Sequence, residues 1–169
     1  MVHMDIPTPS HDYSQIPHVP PAAYVSIVSE QQQRLPECIK KAAQKFQLPE
    51  LLLKAIRDVE GGKIGMAKRN RNGSFDLGPY QINTIWLAEL KNDYPWLNWQ
   101  TVAHDACVNS FIAAKILRTH IDKTPNDLWA AVGNYHYHHK ASLTRHHKYA
   151  IKVMRRYMAL LKQKITRNN

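Results

Sequence analysis

The run Ala55–Gly65, AIRDVEGGKIG, decides how this chain is read. Leu52, Ala55, Ile56 and Val59 fall at helical 3/4 spacing and form an apolar stripe. Pro49 suits the first helical position, and Glu50 suits the positive end of the helix dipole. Gly61-Gly62 stops the helix. The residue before the stop is an acid, Glu60, which borders the apolar face. Partial burial and the negative end of the dipole both favour the protonated form of such a carboxyl. A carboxylic acid that keeps its proton near neutral pH is what general-acid catalysis requires. The plain alternative is a solvated helix-end glutamate.

Working outward, Ile39, Ala42, Ala43 and Phe46 give an earlier amphipathic helix, with helical signal from Leu35 onward. Residues 61–79, GGKIGMAKRNRNGSFDLGP, read as a long glycine-dotted loop, a feature of functional sites in compact domains. Helical spacing resumes at Tyr80–Leu90, and a further helix is expected over Trp99–Ile121. Thr124-Pro125-Asn126-Asp127 reads as a helix start with Thr124 as cap and a short helix ending near Gly133. The last helix is expected over Ser142–Ile165, with Ala150, Val153, Met154, Tyr157 and Leu161 inward. No convincing strand pair is visible, so the fold class is mainly α. Five of the ten prolines precede residue 22. Residues 1–30 are therefore expected to be an extended, poorly ordered lead-in, with the folded domain at 31–169.

The chain's 169 residues, 44% of them apolar, suffice for one domain with a real core. Lys and Arg number 23 against 13 Asp and Glu, which favours an anionic partner. The charge is spread along the chain and no helix-turn-helix pattern is present, so nucleic acid is not the expected partner. No apolar run approaches the ~20 residues that span a bilayer, and no ordinary signal peptide opens the sequence. Two cysteines, Cys38 and Cys107, leave open either two buried thiols or one bridge.

Three motifs together resemble the lytic transglycosylases of glycoside hydrolase family 23, lysozyme-like enzymes of the bacterial cell wall. Leu51-Leu52 through Val59-Glu60-Gly61-Gly62 resembles the helix of the family's catalytic glutamate. Asn72-Gly73-Ser74, Asp76-Leu77-Gly78 and Gln81-Ile82-Asn83 resemble its second motif, continued by Thr84, Trp86 and Leu87. Ala131-Val132-Gly133-Asn134-Tyr135-His136 resembles the third. The match is closest to the branch attached to type IV secretion and conjugation machines. Gly61 replaces the usual serine, Pro79-Tyr80 the usual Leu-Met, and His136 the usual asparagine.

The resemblance implies a lysozyme-like (goose-type lysozyme/SLT) helical domain with a long active-site loop. It implies Glu60 as the catalytic acid, and Gln81, Asn83, Tyr135, Tyr80 and Asn72 as substrate-binding residues. It implies a Cys38–Cys107 disulfide and needs no cofactor. The implied substrate is the glycan strand of peptidoglycan, the implied partners are components of a secretion machine, and the implied location is the periplasm after removal of an export leader. The implied reaction cleaves the β-1,4 bond between N-acetylmuramic acid and N-acetylglucosamine and closes a 1,6-anhydro ring. Glycosidases usually employ two carboxylates. Here Asp58 lies about 160° around the helix from Glu60, and Asp76 is expected to order its loop. A transglycosylase needs no second acid, because the substrate's acetamido group stabilises the cationic centre. The competing readings are a hydrolytic muramidase and a non-catalytic wall-binding scaffold. His136, His138, His139, His146 and His147 fit no common zinc spacing and read as a solvated, pH-responsive rim. Trp86, Trp96, Trp99 and Trp129 read as mostly core.

Overall fold

The computed structural model describes residues 5–136 and 141–168. A 3-10 helix spans Tyr13–His18. The α-helices are α1 (Pro21–Lys45), α2 (Glu50–Glu60), α3 (Ile85–Asp93), α4 (Trp99–His104), α5 (Ala106–Lys123), α6 (Leu128–His136) and α7 (Leu143–Asn168). Three short strands, β1 (Ala67–Arg69), β2 (Phe75–Leu77) and β3 (Ile82–Asn83), form one antiparallel sheet in the order β1-β2-β3. The fold is mainly α, as expected. The chain packs as two compact units. One comprises the described residues of 1–42 and 60–113, the other those of 43–59 and 114–169.

The first unit holds the sheet. Ala67 pairs with Leu77 and Arg69 with Phe75, and Asp76 pairs with Asn83. The reading of 61–79 as loop without strand pairs is thereby corrected. The strands are only two or three residues long, and β1 is exposed throughout. No alternation of apolar and polar residues can mark so short a strand. The helix expected from Tyr80 begins only at Ile85, because the chain first turns back through β3.

The N-terminal expectation is also corrected. Residues 13–18 and 21–45 are helical, and Ile6 and Tyr13 are buried. Pro36 lies inside α1, so a helix that reads from Leu35 in the sequence starts instead at Pro21. What fixes the segment is Asp105, itself buried. Its Oδ2 accepts hydrogen bonds from the Ser10 amide (2.9 Å), the Ser10 hydroxyl (3.0 Å) and the Tyr13 hydroxyl (3.1 Å). Its Oδ1 accepts from the amides of Cys107 (3.0 Å) and Val108 (2.9 Å) and so caps α5. Asp105 thus divides the single helix expected over Trp99–Ile121 into α4 and α5. Gln31, also buried, donates to Ser10 Oγ at 3.0 Å and accepts from the Ala106 amide at 2.9 Å. Cys38 and Cys107 form a disulfide with a Cα–Cα distance of 4.6 Å. The two cysteines are 69 positions apart in sequence, and closing a loop that long stabilises the fold by roughly 4 kcal/mol.

In the second unit, α6 packs against α7. The sequence assigned the α6 cap to Thr124, but Asp127 holds it: its carboxyl accepts from the Ala130 amide at 2.9 Å. Thr124 instead closes α5, donating from Oγ1 to the His120 carbonyl at 2.8 Å. The helix continues past Gly133 to His136. His146 is buried rather than part of a solvated rim; its Nε2 sits 2.9 Å from the Ala130 carbonyl, and its ring lies under Gly133. His136 stacks on Tyr149 at 4.6 Å, while His138 and His139 lie outside the described residues. None of the four tryptophans is fully buried, and Trp99 is exposed.

His104 offers a pH test of the first unit. Burial holds its imidazole below the ordinary value of 6.5, and its hydrogen bond to the Gln100 carbonyl acts in the opposite direction. The unfolded chain therefore takes up a proton before the folded one does, so stability present above about 6.5 is lost as pH falls through the lower folded value. Urea melts at about pH 7 and about pH 5 should show a larger loss for the wild type than for His104→Gln. Equal losses would assign the effect to other groups.

Candidate active site

Glu60 ends α2 and is half-buried. Gly61 follows with φ +66°, a left-handed helix end that glycine adopts without strain. Apart from its chain neighbours Glu60 and Gly62, no atom of the described residues lies within 4 Å of where a Gly61 Cβ would stand, so the backbone beside the acid borders open space. Gly62 is the opposite case. A Cβ there would meet the Gly78 carbonyl oxygen at 2.0 Å and Gln81 Nε2 at 2.7 Å. Only glycine permits this approach, which sets the backbone two residues after Glu60 against the Gly78–Gln81 turn.

That turn is itself locked. Gly78 (φ +66°) and Gln81 (φ +51°) both occupy the left-handed region, and the Gln81 amide donates to the Gly78 carbonyl at 3.1 Å. Gln81 Nε2 donates to the same carbonyl at 2.9 Å and reaches Met66 Sδ at 3.4 Å. Behind the turn stands Asn109, buried in α5. Its Oδ1 accepts from the Tyr80 amide at 2.9 Å, and its Nδ2 donates to the carbonyls of Leu77 (3.0 Å) and Val102 (2.9 Å). Sequence reasoning missed Asn109. The only signal was a polar residue within the apolar run of the α5 pattern.

The remaining expected residues divide into several groups. Asn83 Nδ2 donates to Asp76 Oδ1 (2.8 Å) and Ser74 Oγ (3.0 Å), and its Oδ1 accepts from the Ile85 amide (3.0 Å). Asn72 Oδ1 accepts from the amide (3.1 Å) and hydroxyl (2.7 Å) of Ser74, an Asx turn at the exposed tip between β1 and β2. Tyr80 is fully buried. Tyr135 is half-buried on α6, in the second unit. Of the other acids, Asp76 lies in β2 and accepts from Asn83 of β3, a cross-strand bond in place of the expected Asx-type turn. Asp58 is paired with Arg156, Oδ2 lying 2.6 Å from both Nε and Nη2, and Oδ1 lies 3.1 Å from Arg57 Nη1.

Residues 37–154 match the family of the transglycosylase SLT domain. The chain belongs to that family. It is therefore a lytic transglycosylase acting on peptidoglycan. Among curated proteins it is similar to Protein IpgF of Shigella sonnei, at 31% identity over 126 residues, 73% of this chain and 81% of the relative. It is also similar to Invasion protein IagB of Salmonella typhimurium, at 33% identity over 100 residues, 59% of this chain and 61% of the relative. Within the described residues, no helix of this transglycosylase is long and apolar enough to cross a membrane.

Asn109 tests whether the turn supports the site. Asn109→Ala leaves one amide and two carbonyls buried without their partner, which costs roughly 3 kcal/mol. A lowered denaturation midpoint with muropeptide release reduced at temperatures where the variant is still folded is the expected result. Wild-type stability and release would remove Asn109 from the support of the site.

Proposed function

We propose that Glu60 protonates the oxygen linking N-acetylmuramic acid to N-acetylglucosamine and that the product carries a 1,6-anhydro-muramyl end. The observation that supports this most is the placement of one half-buried acid next to open space, with the other nearby acids engaged elsewhere. Asp58 is held by Arg156 and Arg57, and Asp76 by Asn83. A two-carboxylate mechanism needs a second acid flanking the bond, and neither of these is available to play that part. The substrate's acetamido oxygen takes its place at the cationic carbon. Glu60, now a carboxylate, removes the proton from the muramyl C6 hydroxyl, and that oxygen closes the ring. The proton given to the leaving group is regained, and no water is consumed.

In this reading Gln81 orients the sugar beside the acid, its amide already fixed by the Gly78 carbonyl. Asn83 and Asn72 keep the sheet in shape and present its exposed edge to the strand. Tyr135, by its motif, is a further substrate-binding residue. Lys68, Arg69 and Arg71, exposed on β1 and the following turn, suit the carboxylates of stem peptides. Action on peptidoglycan suggests a periplasmic setting. Similarity to a protein named for invasion supports a role in opening the wall locally for a secretion or conjugation apparatus.

Muropeptides released from purified sacculi test the chemistry. The wild type should release fragments one water lighter than reducing-end products. Glu60→Gln should lower release by about a thousandfold, the scale of a lost general acid. Reducing ends from the wild type would mark a hydrolytic muramidase. Full release by the variant would mark a different acid.

A further inference from the structure

Helix α7 carries two apolar stripes. One, with Tyr149, Ala150 and Val153, is buried. The other consists of Ile151, Met154, Met158, Leu161 and Ile165, spaced three and four residues apart without interruption. Ile151, Met158 and Ile165 are 46%, 58% and 61% exposed, and Met154 and Leu161 are half-buried. Steps of three and four give a period of 3.5, the seam of a coiled coil. With a rise of 1.5 Å per residue it runs for about 21 Å. The family match ends at residue 154, so the catalytic domain does not account for most of the seam.

We propose that this seam docks an amphipathic helix of another protein, apolar at its own seam positions and lined there by Asp or Glu. The charge pattern sets the occupant. No acid occurs after Asp127, while Lys148, Arg155 and Lys162 border one edge of the seam and Lys164 lies on the other. In a coiled coil these flanking positions choose the partner. A second copy would set Lys and Arg against Lys and Arg, which is repulsive at an interface. A membrane-surface helix has a wider apolar face, typically with Trp or Phe. Here the stripe is narrow and holds only Ile, Met and Leu. A glycan strand offers no continuous apolar ridge to fill it.

The test uses the full chain and a dye-labelled three-heptad peptide with Ile and Leu at the seam positions and Glu at the flanks. A control peptide has the same composition in scrambled order. Fluorescence anisotropy should show saturable binding of the ordered peptide and none of the scrambled one. Met158→Ser with Ile165→Ser should weaken binding at least about tenfold, as loss of buried anchors does. Arg155→Glu with Lys162→Glu should weaken it by about as much. Both variants should release muropeptides as the wild type does, which shows that they are folded. The proposal fails if the ordered peptide does not bind, or if the scrambled peptide binds equally. It also fails if light scattering finds a dimer that the seam variant abolishes, or if phosphatidylglycerol vesicles bind the seam in place of the peptide.

Discussion

The site depends on one close approach, the backbone of Gly62 lying against the carbonyl of Gly78. A side chain as small as alanine at position 62 would separate the two. On one side of that contact is the end of α2 with Glu60. On the other is a turn held in two left-handed conformations by Asn109. Buried polar groups are costly when unpaired, and that cost makes Asn109 effective. Its amide satisfies two carbonyls and one amide that a turn leaves over, so the turn can be rigid inside a dry environment. A general acid needs a fixed distance to the bond it protonates, and under the role proposed for Glu60 rigidity on both sides of Gly62 supplies part of it.

Asp105 plays a comparable part away from the acid. Five donors converge on its two carboxyl oxygens, three from Ser10 and Tyr13 and two from the first turn of α5. One side chain thereby caps a helix, breaks the preceding one and fastens the N-terminal segment. Gln31 and the Cys38–Cys107 bridge tie α1 to the same helix start. The α5 start that Asp105 fixes is also what carries Asn109, so the N-terminal segment and the candidate site are supported by one helix terminus.

Much of this was legible in the sequence. The α2 stripe, the glycine stop after Glu60 and the mainly α class all follow from spacing and residue chemistry. The pairing of the cysteines followed from the family resemblance, since their number alone left it open. The sheet was not legible, because strands of two and three residues carry no period. The start of α1 was hidden by prolines that read as breakers, although a helix tolerates them at its beginning and can continue past one inside it. The break at Asp105 was hidden in an otherwise apolar run. Nor does periodicity record the long-range partners of Asp105 and Asn109, which fix the α5 start and the turn at Tyr80.

The proposed role of Glu60 requires its carboxyl to lie against the glycosidic oxygen. A crystal structure of the Glu60→Gln variant with a bound muropeptide glycan fragment measures this directly. The expected structure has a scissile oxygen within about 3 Å of the residue 60 side chain, the reach of a proton donor, with the Gln81 amide on the adjoining sugar. A glycan strand bound elsewhere on the molecule, with residue 60 facing water, would contradict it.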